Sequence, residues 1–135
     1  MKKLELSGSC LCGSVAYTVT GDAKAFYHCH CQRCRKVTGT GHASNLLLTE
    51  GEVDWTRGAE HLRRYDVPGA IRFASVFCKR CGSYLPRVSP GLVAVPAGTL
   101  DHEPDMLPEA RIFAGSRAAW SCSDTALPEY AEYPD

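Results

Sequence analysis

The segment Cys29-His30-Cys31-Gln32-Arg33-Cys34 places three cysteines within six residues. A closely spaced pair lies on either side of it, Cys10-Leu11-Cys12 and Cys78-Lys79-Arg80-Cys81, so seven of the eight cysteines fall into three groups. We call these groups the central trio, the first pair and the second pair. Two thiolates one or two residues apart can turn back across a tight bend and bind one zinc ion, with each sulfur about 2.3 Å from the metal. The grouping therefore predicts a fold organised around zinc.

Seven ligands fit one site of four and one site of three. A four-thiolate zinc is closed and structural, whereas a three-thiolate zinc keeps one position open, as catalytic zinc does. One arrangement joins the first and second pairs and leaves the central trio as the open site. Another joins Cys31 and Cys34 to the second pair as a zinc ribbon and leaves Cys10, Cys12 and Cys29 as ordinary thiols. The first arrangement is favoured because it uses all seven clustered cysteines, but spacing alone permits both.

Composition describes an ordinary globular chain. It has 135 residues, 44% of them apolar, which predicts one domain over residues 1–135. Fifteen basic and fifteen acidic side chains cancel, which argues against a nucleic-acid partner.

The redox state of the cellular compartment affects whether the cysteines bind metal or form disulfides. No signal peptide and no apolar run of membrane-spanning length are recognisable, so we expect a cytoplasmic protein without membrane contact. In a reducing compartment clustered cysteines bind metal. The alternative, a disulfide scaffold, fits the even number of cysteines, but a Cys-x-Cys pair has poor disulfide geometry.

The rest of the chain favours short strands over helices. Alternating apolar residues between turn residues predict strands at Gly13–Thr20, Ala25–His28, Ala43–Leu48, Val53–Trp55, Leu62–Asp66, Ile71–Phe77, Tyr84–Val88, Leu92–Val95 and Arg111–Ala114. Gly21-Asp22 and Glu50-Gly51-Glu52 are interpreted as turns between strands. Only Gln32–Val37 favours a helical turn or two, and the tail Ala118–Asp135 is predicted to be irregular. The expected class is an all-β sandwich or open barrel with little helix.

Several longer motifs resemble one family in combination. They are Gly8-Ser9-Cys10-Leu11-Cys12-Gly13, the run from His28 to Gly39, the run from Phe77 to Leu85, Val95-Pro96-Ala97-Gly98-Thr99-Leu100-Asp101, Ala119-Trp120 and Leu127-Pro128. This order resembles the glutathione-dependent formaldehyde-activating enzymes and their centromere-protein-V relatives. The resemblance covers the chain from about residue 7 to about residue 134.

That resemblance has definite implications. It implies an Mss4-like zinc-containing all-β fold with two zinc ions per chain. The structural zinc would be bound by Cys10, Cys12, Cys78 and Cys81, and the catalytic zinc by Cys29, Cys31 and Cys34. The implied partners are small molecules, glutathione and formaldehyde, which combine to S-hydroxymethylglutathione.

The open site suggests its own chemistry. A zinc ion held by three thiolates can take a substrate thiol as its fourth ligand and keep it deprotonated. The hypothesis is a carbon–sulfur lyase that forms or cleaves a thiol adduct of a small aldehyde. Alternatively His28, His30 or His42 completes a Cys₃His site, and the protein is a non-catalytic zinc-stabilised binding module.

Other residues near the clusters allow two interpretations each. Arg33, Arg35 and Lys36 could neutralise the anionic metal site or bind carboxylates of a glutathione-like ligand, or they could form a solvated basic turn. Cys122 stands outside every group and is interpreted as an ordinary thiol. Glycines directly after each pair are expected to have positive φ.

Overall fold

The computed structural model describes residues 2–122 and 126–134. Its strands are β1 (Lys3–Ser9), β2 (Ala16–Cys29), β3 (Ala43–Arg57), β4 (Leu62–Asp66), β5 (Ala74–Cys78), β6 (Arg87–Ser89), β7 (Leu92–Pro96) and β8 (Ala110–Ile112). The α-helix of the described part, α1, is Gln32–Thr38, and three-residue 3₁₀ turns lie at Ala59–His61, Ala97–Thr99 and Ala114–Ser116. The predicted all-β class with little helix is confirmed. No helix among these residues is long and apolar enough to cross a membrane.

The strands form two sheets. In the larger one β1, β2, β3, β7 and β6 follow one another in antiparallel order, and β8 pairs in parallel with the end of β2. The smaller sheet is the hairpin of β4 and β5. Neither sheet closes on itself, so the architecture is open. The long strands β2 and β3 are paired along their length, and α1 lies between the end of β2 and the start of β3.

The main core lies on one face of the larger sheet. Successive side chains of a strand point to opposite faces, so alternate residues of β3 and β7 are buried together. Fully or almost fully buried members are Leu46, Leu48, Val93 and Val95, which cluster with Val76 of β5 and with Leu85. The other face of the same strands is therefore free to form a site.

Two turns predicted from glycine are wrong. Gly21 and Gly51 lie inside β2 and β3, where the pairing register shifts between Thr20 and Asp22. A Cβ on Gly21 would stand 2.9 Å from Cα of Gly51, and one on Gly51 would stand 2.8 Å from Cγ2 of Val93. Both glycines are therefore needed for close packing across a strand irregularity, and the four predicted strands around them merge into two.

The boundaries of other predicted elements differ less from those in the structure. The strand prediction Leu62–Asp66 agrees with β4, and the predicted helical turn is α1 extended by one residue. β1 was not predicted, although Leu4 and Leu6 alternate with polar residues and are buried. The tail contains no helix or strand at 118–122 and 126–134. Its positions 123–125 and 135 lie outside the described residues.

Candidate metal centres

The first and second pairs come together although they are far apart in sequence. The four Sγ atoms of Cys10, Cys12, Cys78 and Cys81 all lie within 4.8 Å of one another. The Sγ atoms of Cys10 and Cys12 are 3.6 Å apart, and those of Cys12 and Cys78 are 4.0 Å apart. A tetrahedron with zinc–sulfur bonds of about 2.3 Å has sulfur–sulfur separations of about 3.8 Å. The four-cysteine cluster thus has the donors and dimensions that a zinc ion needs.

Each pair sits on a tight bend that is closed by the N–H of the glycine after its second cysteine. The N–H of Gly13 donates to the carbonyl of Cys10 at 3.0 Å, and that of Gly82 donates to the carbonyl of Cys78 at 2.7 Å. Both glycines have the positive φ expected from the sequence, 78° and 79°. The Val15 N–H donates to Sγ of Cys10 at 3.3 Å, so a backbone donor also points at a sulfur of this cluster.

Ser83 links the two bends. Its hydroxyl accepts the N–H of Leu11 at 2.8 Å and lies 3.3 Å from Sγ of Cys81. Hydrogen bonding with Ser83 lowers the pKa of Cys81 to about 5. One side chain from the second bend therefore fixes the backbone of the first bend and also stabilises a thiolate.

The central trio is built locally, where β2 ends and α1 begins. Cys29 is the last residue of β2, Cys31 is the N-cap of α1, and Cys34 lies in its first turn. Their three Sγ atoms lie within 4.8 Å of one another. Sγ of Cys31 accepts the N–H of Cys34 at 3.3 Å, so this cysteine also caps the helix.

Without a metal ion the pKa values of Cys29 and Cys34 are shifted in opposite directions. Hydrogen bonding with Cys34 lowers the pKa of Cys29 to about 6, whereas Cys29 and burial raise the pKa of Cys34 above its usual value. Three neighbouring thiolates repel one another unless a cation lies between them. The trio could therefore hold a metal ion, because an ion would allow all three sulfurs to ionise together.

The trio opens onto a cleft of about 490 Å³, within the usual size range of small-molecule pockets. Its walls are mainly apolar or aromatic side chains: Tyr27, Leu47, Phe73, Leu92, Ile112 and Phe113. Polar lining comes from Gln32, Arg33, Asn45, Arg87 and Ser116. The cleft uses the face of β2 and β3 that points away from the main core.

The three histidines that the sequence offered as a fourth ligand are placed elsewhere. No histidine, aspartate or glutamate of the described residues joins the sulfur atoms of the trio. His28 precedes Cys29 in β2 and so points to the opposite face of the sheet, where Nδ1 lies 2.9 Å from Oγ of Ser44. The His42 ring stacks on His28 at 4.1 Å between centroids. Burial lowers the pKa of both, so they are neutral at neutral pH.

His30 has its own partners. It is fully buried, and Nη1 of Arg111 lies 3.4 Å from its Nε2. An arginine only donates, so Nε2 accepts and the Nδ1–H donates to the Gly41 carbonyl at 3.2 Å. The same Nη1 donates to Sγ of Cys122 at 3.0 Å, and Cys122 is in neither cysteine cluster. His30 is thus a satisfied core histidine.

The three basic residues of α1 have different surroundings. Arg33 is exposed and lines the cleft, whereas Nη1 of Arg35 donates to the carbonyl of Ser116 at 3.1 Å. Lys36 lines a neighbouring apolar groove. Arg87 was missed, because it is far from the trio in sequence. Only the register of β6 on β7 and β3 brings it to the cleft.

Comparison with known proteins agrees with this architecture. A crystal structure of a Rhodobacter sphaeroides protein is similar to this one with a TM-score of 0.55 and 25% sequence identity, covering 78% of this chain and 98% of that chain. No curated protein shows significant similarity to the sequence. Residues 5–116 match the family described as glutathione-dependent formaldehyde-activating enzyme, which is most of the chain and includes both cysteine clusters. The protein therefore belongs to the glutathione-dependent formaldehyde-activating enzyme family.

Proposed function

We propose that the protein is a zinc-dependent carbon–sulfur lyase that forms or cleaves the adduct of a thiol with a small aldehyde, of the S-hydroxymethylglutathione synthase type. The observation that carries this proposal is the position of the central trio. Three sulfurs face an open cleft, and no fourth histidine, cysteine or carboxylate of the described residues lies with them. Such a site leaves room for one ligand from outside.

Two zinc ions with separate tasks are part of the proposal. Cys10, Cys12, Cys78 and Cys81 would hold a structural ion, and Cys29, Cys31 and Cys34 would hold the catalytic one. When bound at the trio, zinc supplies a Lewis acid that keeps an incoming thiol deprotonated at neutral pH. The donor sets fit this assignment, because thiolate sulfur is a ligand that zinc prefers.

The cleft residues position the reactants. Phe73, Leu47 and Ile112 form apolar walls that exclude water from the sulfur of the bound thiol. The side-chain amide of Asn45, on the same face of β3 as Leu47, can donate to the oxygen of the aldehyde. In synthesis the thiolate sulfur bonds to the aldehyde carbon, the π electrons of the carbonyl move to oxygen, and that oxygen takes up a proton from water. Cleavage is the reverse.

The trio can be tested without disturbing the helix that carries it. Cys31→Ser removes a sulfur ligand but keeps a good N-cap at the start of α1. In the zinc-loaded protein we expect this variant to lose about 100-fold or more of the rate of S-hydroxymethylglutathione formation, measured by NMR exchange spectroscopy with glutathione and formaldehyde. The matched control is Cys122→Ser, which removes a thiol outside both clusters and should retain activity.

Two results would contradict the proposal. One is a zinc-loaded wild-type protein that neither binds glutathione in calorimetry nor changes the rate of adduct formation, as a pure binding module would behave. The other is a Cys31→Ser protein that is as active as Cys122→Ser.

A further inference from the structure

Arg87 is placed on the cleft by the geometry of the larger sheet. It is the first residue of the edge strand β6 and pairs with Ala94, which in turn pairs with Leu47 of β3. Residues aligned across a sheet point to the same face, so Arg87 shares the cleft face with Leu47. Its side chain lines the same cleft as the three sulfurs of the trio.

The Arg87 guanidinium is held in place but is not neutralised. Its Nη1 donates to the carbonyl of Ala74 at 3.2 Å, and its Cζ lies 5.1 Å from the ring centroid of Phe73. Nε is buried and has no partner in the described part of the chain. None of the ion pairs among the described residues involves Arg87. A half-buried charge with these contacts is oriented in advance for an anion.

The described residues around Arg87 supply no carboxylate, so its anionic partner would come from a ligand. No aspartate or glutamate of residues 2–122 and 126–134 lines the cleft, whose remaining walls are largely apolar. Arg33, the other basic residue among the described residues that line the cleft, is exposed and so is screened by solvent.

We propose that Arg87 binds a carboxylate of the thiol substrate and so makes the cleft selective for thiols that carry a carboxylate. This inference rests on the proposed function, because it assumes that the thiol is bound at the trio. Phe73 and the Ala74 carbonyl fix the plane of the guanidinium, and the carboxylate accepts from its free N–H groups. A different role, in which Arg87 only balances the charge of the trio, would affect neutral and anionic thiols equally.

Calorimetry on the zinc-loaded protein with three probes separates these roles. The first probe is glutathione. The second is its diethyl ester, which keeps the thiol and lacks both carboxylate charges, and the third is S-methylglutathione, which keeps both carboxylates and lacks the thiol. A hydrogen-bonded charge pair contributes enough that Arg87→Gln should weaken glutathione and S-methylglutathione about 10- to 100-fold. Affinity for the diethyl ester should not change. Arg87→Lys should fall in between, because it keeps the charge but not the planar donors.

The charge-matched control is Arg64→Gln, since Arg64 lies outside the cleft and pairs with Asp66. It should bind all three probes like the wild type, and zinc content should be equal in all proteins. Equal glutathione affinity in wild type and Arg87→Gln, or equal weakening of glutathione and the diethyl ester, would overturn the assignment. If the wild type binds no thiol, the proposed function fails. S-methylglutathione then decides whether Arg87 binds a carboxylate in the cleft: Arg87-dependent binding of this probe keeps that part of the assignment, and any other result removes it.

Discussion

The two cysteine clusters differ in what they connect. The four-cysteine cluster joins the bend between β1 and β2 to the bend after β5, and Cys10 and Cys78 are part of the main core. The central trio comes from a single bend, and Cys29 and Cys34 belong to a separate small cluster with Ala43. One set of sulfurs therefore fastens distant segments, whereas the other is presented at the end of a strand.

This difference would allow one small fold to hold the two proposed zinc ions for different purposes. Bringing distant segments together costs chain entropy, which a metal bound by both segments offsets. A ligand set within six residues closes a short loop, and its loss leaves the rest of the sheet intact. We therefore expect stability to depend on the four-cysteine cluster and reactivity to depend on the trio.

The largest expected effect breaks the fold itself. Cys78 is fully buried in the core, and Cys78→Ser should abolish the structural site. Structural zinc sites contribute about 10–16 kcal/mol, which is as large as the total stability of a typical domain, about 5–15 kcal/mol. We expect Cys78→Ser to be unfolded by far-UV circular dichroism. Cys31→Ser, in the trio, should keep the wild-type spectrum and lose activity. A folded Cys78→Ser protein or an unfolded Cys31→Ser protein would contradict the expectation that stability depends on the four-cysteine cluster and not on the trio.

A smaller effect is expected from the bend that carries the second pair. Gly82 has φ of 79°, and a Cβ there would contact nothing, so the cost of Gly82→Ala is backbone strain alone. That strain should lower the free energy of unfolding by about 1–2 kcal/mol in a urea titration. The control is Gly98→Ala, at a glycine without positive φ where a Cβ also meets nothing. Equal stabilities of the two variants would contradict the strain argument.

The smallest effect concerns the link between the two bends. Ser83→Ala removes the acceptor for the Leu11 N–H and should destabilise the protein by about 1 kcal/mol. Because the Ser83 hydrogen bond lowers the pKa of Cys81, the variant should also raise the pH at which protons displace zinc from the four-cysteine cluster. Native mass spectrometry across an acid titration measures this shift. An unchanged release pH would show that Ser83 does not stabilise the Cys81 thiolate.

Much of this architecture could be predicted from local sequence. Cysteine spacing identified the three groups and alternation identified β4, because both signals act over a few residues. Spacing left two pairings of the groups open, and the family resemblance implied the one that the structure brings together. The prediction of turns at Gly21 and Gly51 was wrong. Glycine occurs where two backbones pack closely as well as where φ is positive, and a local sequence pattern does not distinguish these two uses. The cleft role of Arg87 depends on the register of three strands, which no local pattern encodes.

The division between a structural and a reactive site is tested most directly by counting bound zinc by native mass spectrometry during a chelator titration, with the circular dichroism spectrum followed in parallel. We expect two zinc ions per chain in the wild type. The first ion should leave with loss of activity and no change in the spectrum, and the second should leave only as the protein unfolds. A single zinc ion per chain, or unfolding on loss of the first ion, would contradict the division between a structural and a reactive site.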